Sequence, residues 1–414
     1  MTPLPSSWLF ISILCLLSCL GIFSISLYLP SLPAIGKALG TSEKAVQLTL
    51  FMFFLGSSLG HLLLGPFSDR VGRLIVAKGG ILLFILASFW CAHCQTILQL
   101  QLGLFFLGIS VSAGSLIARA MGRDLYEGSS LTRFSSTIMM IVSLSPGIAP
   151  MLGGFIEYHF GWEKKFYFLM VFGIAIALMV WWRLPETFET SKKITQGFTL
   201  FKNYGLFFHD SYYRTLCFII AMQMSTIFCY VTLSPYIFIS FFGWSPQEYG
   251  YVGIAGASGN LTGFGLARFM AKRWGCHRGI LRGSLSCVLV SGIYVCLCFL
   301  LQEQPYLIIL YHFCFYSASA LAVANASAAA LDIFPHRAGM SSAIIGTIQI
   351  GSGIVGSLLA SLLPISPLGL GIVLGSLSFL SMGTSIFITI KNWRGYHINE
   401  ECQNSLKGSP SSSS

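Results

Sequence analysis

Charge is what this sequence has least of. Only 9% of its 414 residues are Asp, Glu, Lys or Arg, against about 25% in an ordinary soluble domain. By contrast, 55% are hydrophobic and the mean hydropathy is +0.76. The shortage of charge excludes a soluble globular enzyme, and the apolar content excludes disorder, which requires low hydrophobicity. No GxxxxGK[ST] loop occurs, so a pump driven by nucleotide hydrolysis is excluded. No HExxH pattern occurs and no lysine stands inside a long apolar run, which removes the usual machinery of an intramembrane hydrolase. No repeated pore motif suggests a channel. The first seven residues carry neither Lys nor Arg, so the opening apolar run is expected to be an uncleaved first helix, not a signal peptide. The 12 Cys are scattered, mostly within apolar runs where they act as small hydrophobes. Cys91-Ala-His-Cys94 has CxxC spacing but no second ligand pair, so neither a metal nor any other cofactor is expected.

What is present is long continuous apolar sequence. Strands of a β-barrel would alternate over about 10 residues, whereas the runs here are unbroken and helix-length. Twelve segments emerge, at 8–29, 45–66, 74–96, 98–120, 134–156, 164–183, 214–238, 247–269, 279–301, 305–330, 338–363 and 367–390. The expected fold is therefore an all-α polytopic membrane protein with twelve transmembrane helices. The 43 glycines suit close helix packing. The formal net charge of +10 does not point to nucleic acid. All of the 24 Lys and Arg except Lys37, Lys44, Lys164 and Lys165 fall on one set of connections. The positive-inside rule places that set, and both termini, in the cytoplasm, with the chain multi-pass in the cytoplasmic (inner) membrane.

The longest internal polar stretch separates segments six and seven. It divides the chain into an N-terminal half (1–188), a linker (189–213), a C-terminal half (214–393) and a tail (394–414) expected to be disordered. Corresponding junctions of the two halves, Arg70 with Lys272 and Glu127 with Pro335, are each separated by about 200 residues, as in transporters built from related halves.

Two segments carry mechanism. Gly65-Pro-Phe-Ser-Asp-Arg-Val-Gly-Arg73 follows the second apolar run and sets Asp69, Arg70 and Arg73 beside Gly65 and Gly72, which permit tight turns. It resembles the GxxxDRxGR signature loop of the major facilitator superfamily. That resemblance implies a loop that holds the two halves together in one conformation and is released in the other. Asp69 is expected near the start of helix eleven, around His336 to Met340, and Arg73 near Asp124. The second segment, Ser145-Pro-Gly-Ile-Ala-Pro-Met-Leu-Gly-Gly154, combines two prolines with small residues and predicts a bent, closely packed helix five. It resembles the GxxxGPxxGG motif of drug:proton exchangers. Pro150, Gly153 and Gly154 match, while Ser145 and Ala149 stand for the first two glycines and Pro146 is an addition. Further segments narrow the resemblance: Tyr28-Leu-Pro-Ser-Leu-Pro33, Arg119 with Arg123-Asp-Leu-Tyr126, Leu184-Pro-Glu-Thr187 and Phe334-Pro-His-Arg-Ala-Gly-Met-Ser-Ser-Ala343. Together they are similar to the bicyclomycin/chloramphenicol-resistance subfamily of twelve-helix drug efflux proteins. This likeness implies the major facilitator fold of two six-helix halves and alternating-access transport.

The sequence departs from that subfamily where charge is expected. The usual helix-one Asp is Ser26 and the usual helix-four Arg is Leu104. The loss is concerted, because either charge alone would be costly in a membrane core. His61 and Glu157 are the candidate proton carriers that remain, with His312 a second histidine of interest. The candidate substrate-binding residues are Ser26, Tyr28, Gln223, Tyr230, Asn325 and Gln349, with Phe228 and Tyr236 as stacking surfaces. A pocket without a central acid is expected to disfavour cations. The expected function is secondary active transport of a small amphipathic drug-like solute, in the export direction. The alternative is an uncoupled facilitator or an importer of a small metabolite. Expected partners are that solute, protons and the lipid bilayer, with no nucleic acid, and a monomer is expected.

Overall fold

The structure, a computed structural model, describes residues 8–126, 128–187, 207–301, 303–334 and 338–407. Most of the linker 189–213 and the end of the tail lie outside the described residues. The described chain is almost wholly helical, with no strand. Its long helices are α1 (Trp8–Tyr28), α2 (Glu43–Val71), α3 (Arg73–Ala92), α4 (Ile97–Leu125), α5 (Gly128–Phe160), α6 (Glu163–Arg183), α7 (Ser211–Pro235), α8 (Pro246–Trp274), α9 (Cys276–Leu301), α10 (Pro305–Ile333), α11 (Ala338–Leu362) and α12 (Pro367–Lys407). A 3₁₀ turn, Leu29–Ser31, and a short helix, Leu32–Ala38, continue α1, and a π-helical turn, Tyr236–Phe241, continues α7.

Starts and stops follow local chemistry. Ser42 accepts from the Ala45 backbone N–H at 3.3 Å to begin α2, and Asp210 accepts from that of Tyr213 at 2.8 Å to begin α7. Thr96 with Gln99 and Ser245 with Glu248 form capping boxes at α4 and α8. Several helices outrun their apolar segments because the backbone stays helical until a residue stops it. α2 runs on through Arg70 to Gly72 (φ 108°), and α8 runs on through Arg273 to Gly275 (φ 81°). Positive φ at these two positions is natural only for glycine. Residues 394–407, expected within a disordered tail, instead continue α12. No proline interrupts that stretch, so nothing breaks the helix where hydrophobicity ends.

Among the described residues, eleven helices are long and apolar enough to cross a membrane. α8 is the exception in composition, because Gly250, Gly253, Gly256, Gly259 and Gly263 recur along its 29 residues. Those glycines let it pack against two neighbours at once, α5 and α10. α1, α4, α7 and α10 pack inward against several neighbours, while α3 and α6 pack together on one side and α9 and α12 on the other. The halves meet through two pairs, α2 with α11 and α5 with α8. The second helix of each half thus meets the fifth of the other, a pseudo-two-fold arrangement. Below, the odd end holds the α1–α2, α5–α6, α7–α8 and α11–α12 connections, and the even end holds α2–α3, α4–α5, α8–α9 and α10–α11.

Candidate functional site

The Gly65–Arg73 segment was expected as a loop, yet it is helical as far as Val71. Pro66 is accommodated inside α2, and Gly72 alone makes the break before α3. This short break turns Arg73 back onto α2 and α4. Its Nε donates to Asp124 Oδ2 at 3.2 Å, its Nη1 donates to Ser68 Oγ at 2.6 Å, and the same Nη1 pairs with Asp69. Arg70 is exposed. Of the stretch from His336 to Met340, near which Asp69 was expected, residues 336 and 337 lie outside the described residues; the described partner of Asp69 is Arg73.

Glu186, quoted in the sequence only as part of a resemblance, completes this network. Its carboxylate accepts the backbone N–H groups of Arg73 and Leu74, both at 3.0 Å, at the start of α3. Thr187 Oγ1 donates to Asp124 at 3.3 Å. Anions at a helix N-terminus satisfy unpaired N–H groups and complement the helix dipole. The end of α6 is thereby tied to α2, α3 and α4.

At the odd end the helix-five residues lie between helices. Ser145, Ala149, Pro150, Gly153 and Gly154 are buried, and Pro146 is half-buried. Helix α5 continues through both prolines. A methyl group added at Gly153 would strike the Leu27 carbonyl of α1, and one at Gly154 the Pro246 carbonyl of α8. From the other side, a Cβ at Gly250 would lie 2.7 Å from the Pro150 carbonyl oxygen, and one at Gly253 would strike that of Pro146. The close approaches therefore run over the odd-end part of both helices. On the second seam Phe54 of α2 lies against Gly353 of α11 and meets Phe228 of α7 in a tilted ring pair with centroids 4.4 Å apart. Tyr236 Oη donates to the Glu43 carbonyl at 3.4 Å, another bond between halves.

The six candidate substrate residues divide. Tyr28 is buried within the N-terminal half, its hydroxyl 2.9 Å from Thr49 Oγ1 and its ring beside Phe166. Gln223 is buried in the C-terminal half, where Nε2 donates to Ser381 at 3.0 Å and Oε1 accepts from Cys287 Sγ at 3.5 Å. Asn325 donates to the Leu321 carbonyl at 2.9 Å and packs on Gly279 of α9. These three are engaged inside their own halves, because an amide or hydroxyl buried among apolar helices must find a partner locally. Ser26 is buried in α1, as is Leu104 in α4, the two positions where the subfamily's charges are replaced. Tyr230 is buried, its hydroxyl without a hydrogen-bond partner among the described residues, its ring tilted against His312 at 4.0 Å and close to Tyr316. Both ring nitrogens of His312 are also unpartnered. Gln349 is half-buried on α11 and shares a face with Gly346 and Gly353.

Both proton candidates are held. His61 Nδ1 is 2.8 Å from the Ser57 carbonyl and Nε2 is 3.0 Å from Ser115 Oγ. One neutral tautomer satisfies both contacts, with Nδ1–H donating and Nε2 accepting. Glu157 is not an isolated acid. Lys165 Nζ lies 3.1 Å from its Oε2, and Ser31 Oγ bridges the pair by bonding to each. The sequence reading placed Lys165 on an outer connection and so missed this ion pair, in which the lysine side chain is only 1% exposed. Another residue it assigned no role is Arg119. Its Nη1 reaches across from α4 to within 2.8 Å of where a Cβ on Gly346 of α11 would stand. Among the described residues it has no carboxylate partner.

The comparisons with known proteins agree with this architecture. The family model described as Major Facilitator Superfamily matches residues 14–357. The chain belongs to the major facilitator superfamily. It is 27% identical to a bicyclomycin resistance protein homolog of Haemophilus influenzae, over 95% of this chain and 99% of that one. It is 29% identical to a chloramphenicol resistance protein of Pseudomonas aeruginosa, over 84% of this chain and 82% of that one. Among solved structures it is similar to a D-xylose-proton symporter, at a TM-score of 0.72 and 13% identity, covering 92% of this chain and 97% of that one. It is also similar to the xylose transporter XylE from E. coli in a partially occluded inward-open conformation, at a TM-score of 0.71, 13% identity and coverages of 92% and 96%. The chain is a multi-pass membrane transporter of small molecules, and not an enzyme.

Proposed function

We propose that this transporter exports a small amphipathic drug-like solute across the cytoplasmic membrane by alternating access. One observation carries the reading. The halves approach closely through glycines at the odd end, where Gly154 meets Pro246, and deeper in the membrane, where Gly353 meets Phe54. At the even end, by contrast, the ion pairs among the described residues, Arg73 with Asp69 and with Asp124, both lie within the N-terminal half. With the Lys- and Arg-rich even end in the cytoplasm, this is the conformation that receives solute from inside. The resistance names of the relatives support export. Rocking about the α2–α11 and α5–α8 seams would then open the odd end.

A specific observation also favours a facilitator. α1 and α7 contain no Asp or Glu, and α4 and α10 carry only Asp124 and Asp332, both in the last turn. Glu157 is paired and His61 is doubly hydrogen-bonded. The test is chloramphenicol flux through proteoliposomes with and without an imposed pH gradient. Uphill accumulation that follows the gradient identifies proton exchange, and downhill flux indifferent to it identifies a facilitator. Flux no faster than in protein-free liposomes would sink the proposal for this solute.

A further inference from the structure

Among the described residues, one cation stands on the seam between the halves without a carboxylate partner. Arg119 lies one turn beyond Ser115, the residue that holds His61, and its guanidinium faces the glycine notch at Gly346. The described carboxylates of the even-end network have other partners: Asp69 and Asp124 pair with Arg73, and Glu186 accepts from the start of α3. On α11, Gly353 lies two turns from Gly346, a rise of about 10 Å, and Gln349 sits between them on the same face. At the Gly353 level the seam is roofed by the Phe54–Phe228 ring pair. A half-buried guanidinium on a membrane seam needs an anion or water.

We infer that this strip is a substrate site for an amphipathic organic anion. The carboxylate or sulfonate lies on Arg119, the solute's remaining polar atoms meet Gln349, and its apolar body rests against Phe54 and Phe228. The guanidinium fork matches a planar or trigonal oxyanion through paired N–H donors. The inference rests on the carrier reading above and adds the charge class of the solute.

The test uses the full chain in phosphatidylcholine nanodiscs, with 1-naphthalenesulfonate as the anionic probe and 1-naphthalenesulfonamide as its neutral counterpart, measured by equilibrium dialysis. The sulfonate is expected to bind about tenfold more tightly than the sulfonamide. Arg119→Gln is expected to remove that preference and Arg119→Lys to keep part of it. Phe54→Ala is expected to weaken both probes alike. Equal affinities in the unaltered protein, or a preference that survives Arg119→Gln, would overturn the site. So would loss of the preference on adding phosphatidylglycerol, which would assign Arg119 to lipid headgroups. Protein-dependent flux of the sulfonamide with no anion preference would leave the carrier standing without the anion site. Arg119-dependent sulfonate binding with no flux of either probe would leave the site standing without the carrier.

Discussion

Glu186 accepts the backbone N–H of Arg73 through Oε1 and that of Leu74 through Oε2, each at 3.0 Å, and so caps α3 from the end of α6. The side chain of that same Arg73 bonds Asp124. One residue is therefore held by its backbone and by its guanidinium at once. Glu186→Ala is expected to cost about 1 kcal/mol, the value of a helix cap, and to lower the melting temperature of the purified protein. Glu186→Gln keeps an acceptor for one N–H and should fall between. A Glu186→Ala melt that superimposes on that of the unaltered protein would refute the capping role.

The Lys165–Glu157 pair is buried with Ser31 between its members. Removing one member strands the other charge, a loss of about 3–5 kcal/mol for buried pairs. Glu157→Gln and Lys165→Met alone should each be poorly stable. The double substitution should regain most of the loss, because no lone charge remains. A thermal-unfolding cycle over the four proteins checks this, and additive losses would show that the pair is not coupled.

Gly154 abuts the Pro246 carbonyl across the α5–α8 seam. Gly154→Val should prevent the odd ends from closing, because the collision is with backbone and no side chain can rotate away. Transport is expected to fall by about tenfold or more, the effect of a barrier raised by 1.4 kcal/mol, while the protein remains folded. Labelling of a cysteine placed at Gln247 should become faster in the variant. Unchanged labelling with unchanged transport would count against odd-end closure in the cycle.

His61 bonds the Ser57 carbonyl within α2 and Ser115 across on α4. As a tie between helices it contributes about 1 kcal/mol, and His61→Ala should lower stability by that order without altering how flux responds to an imposed pH gradient. Proteoliposomes containing His61→Ala decide the point, since loss of gradient response with stability intact would make His61 a proton carrier instead.

Much of this was legible in sequence. Unbroken apolar runs named the helices, with most ends within a few residues and the end of α12, which runs on to Lys407, the exception, because a bilayer demands length and hydrophobicity together. Even α8, the least apolar, was found at 247–269 against the observed Pro246–Trp274. The Gly65–Arg73 pattern located the Arg73 network, though its helical backbone did not show. The polar candidates inside helices fared differently. Tyr28, Gln223 and Asn325 look alike on paper, yet each is engaged within its own half. Whether a polar side chain turns inward or onto the seam depends on the rotation of its helix. In a nearly all-apolar helix such as α1 or α10, hydrophobicity carries almost no record of that rotation.

By itself the sequence determined that this chain is a helical membrane transporter with few charges, because chain hydrophobicity is a local property summed along the strand. Only the tertiary structure decided where those few charges work. It brought Lys165 to Glu157, Glu186 to the start of α3, and Arg119 to the glycine notch on α11. Each of these joins residues on different helices, and in a membrane such partners are chosen by which small residues let helices approach, not by distance along the chain.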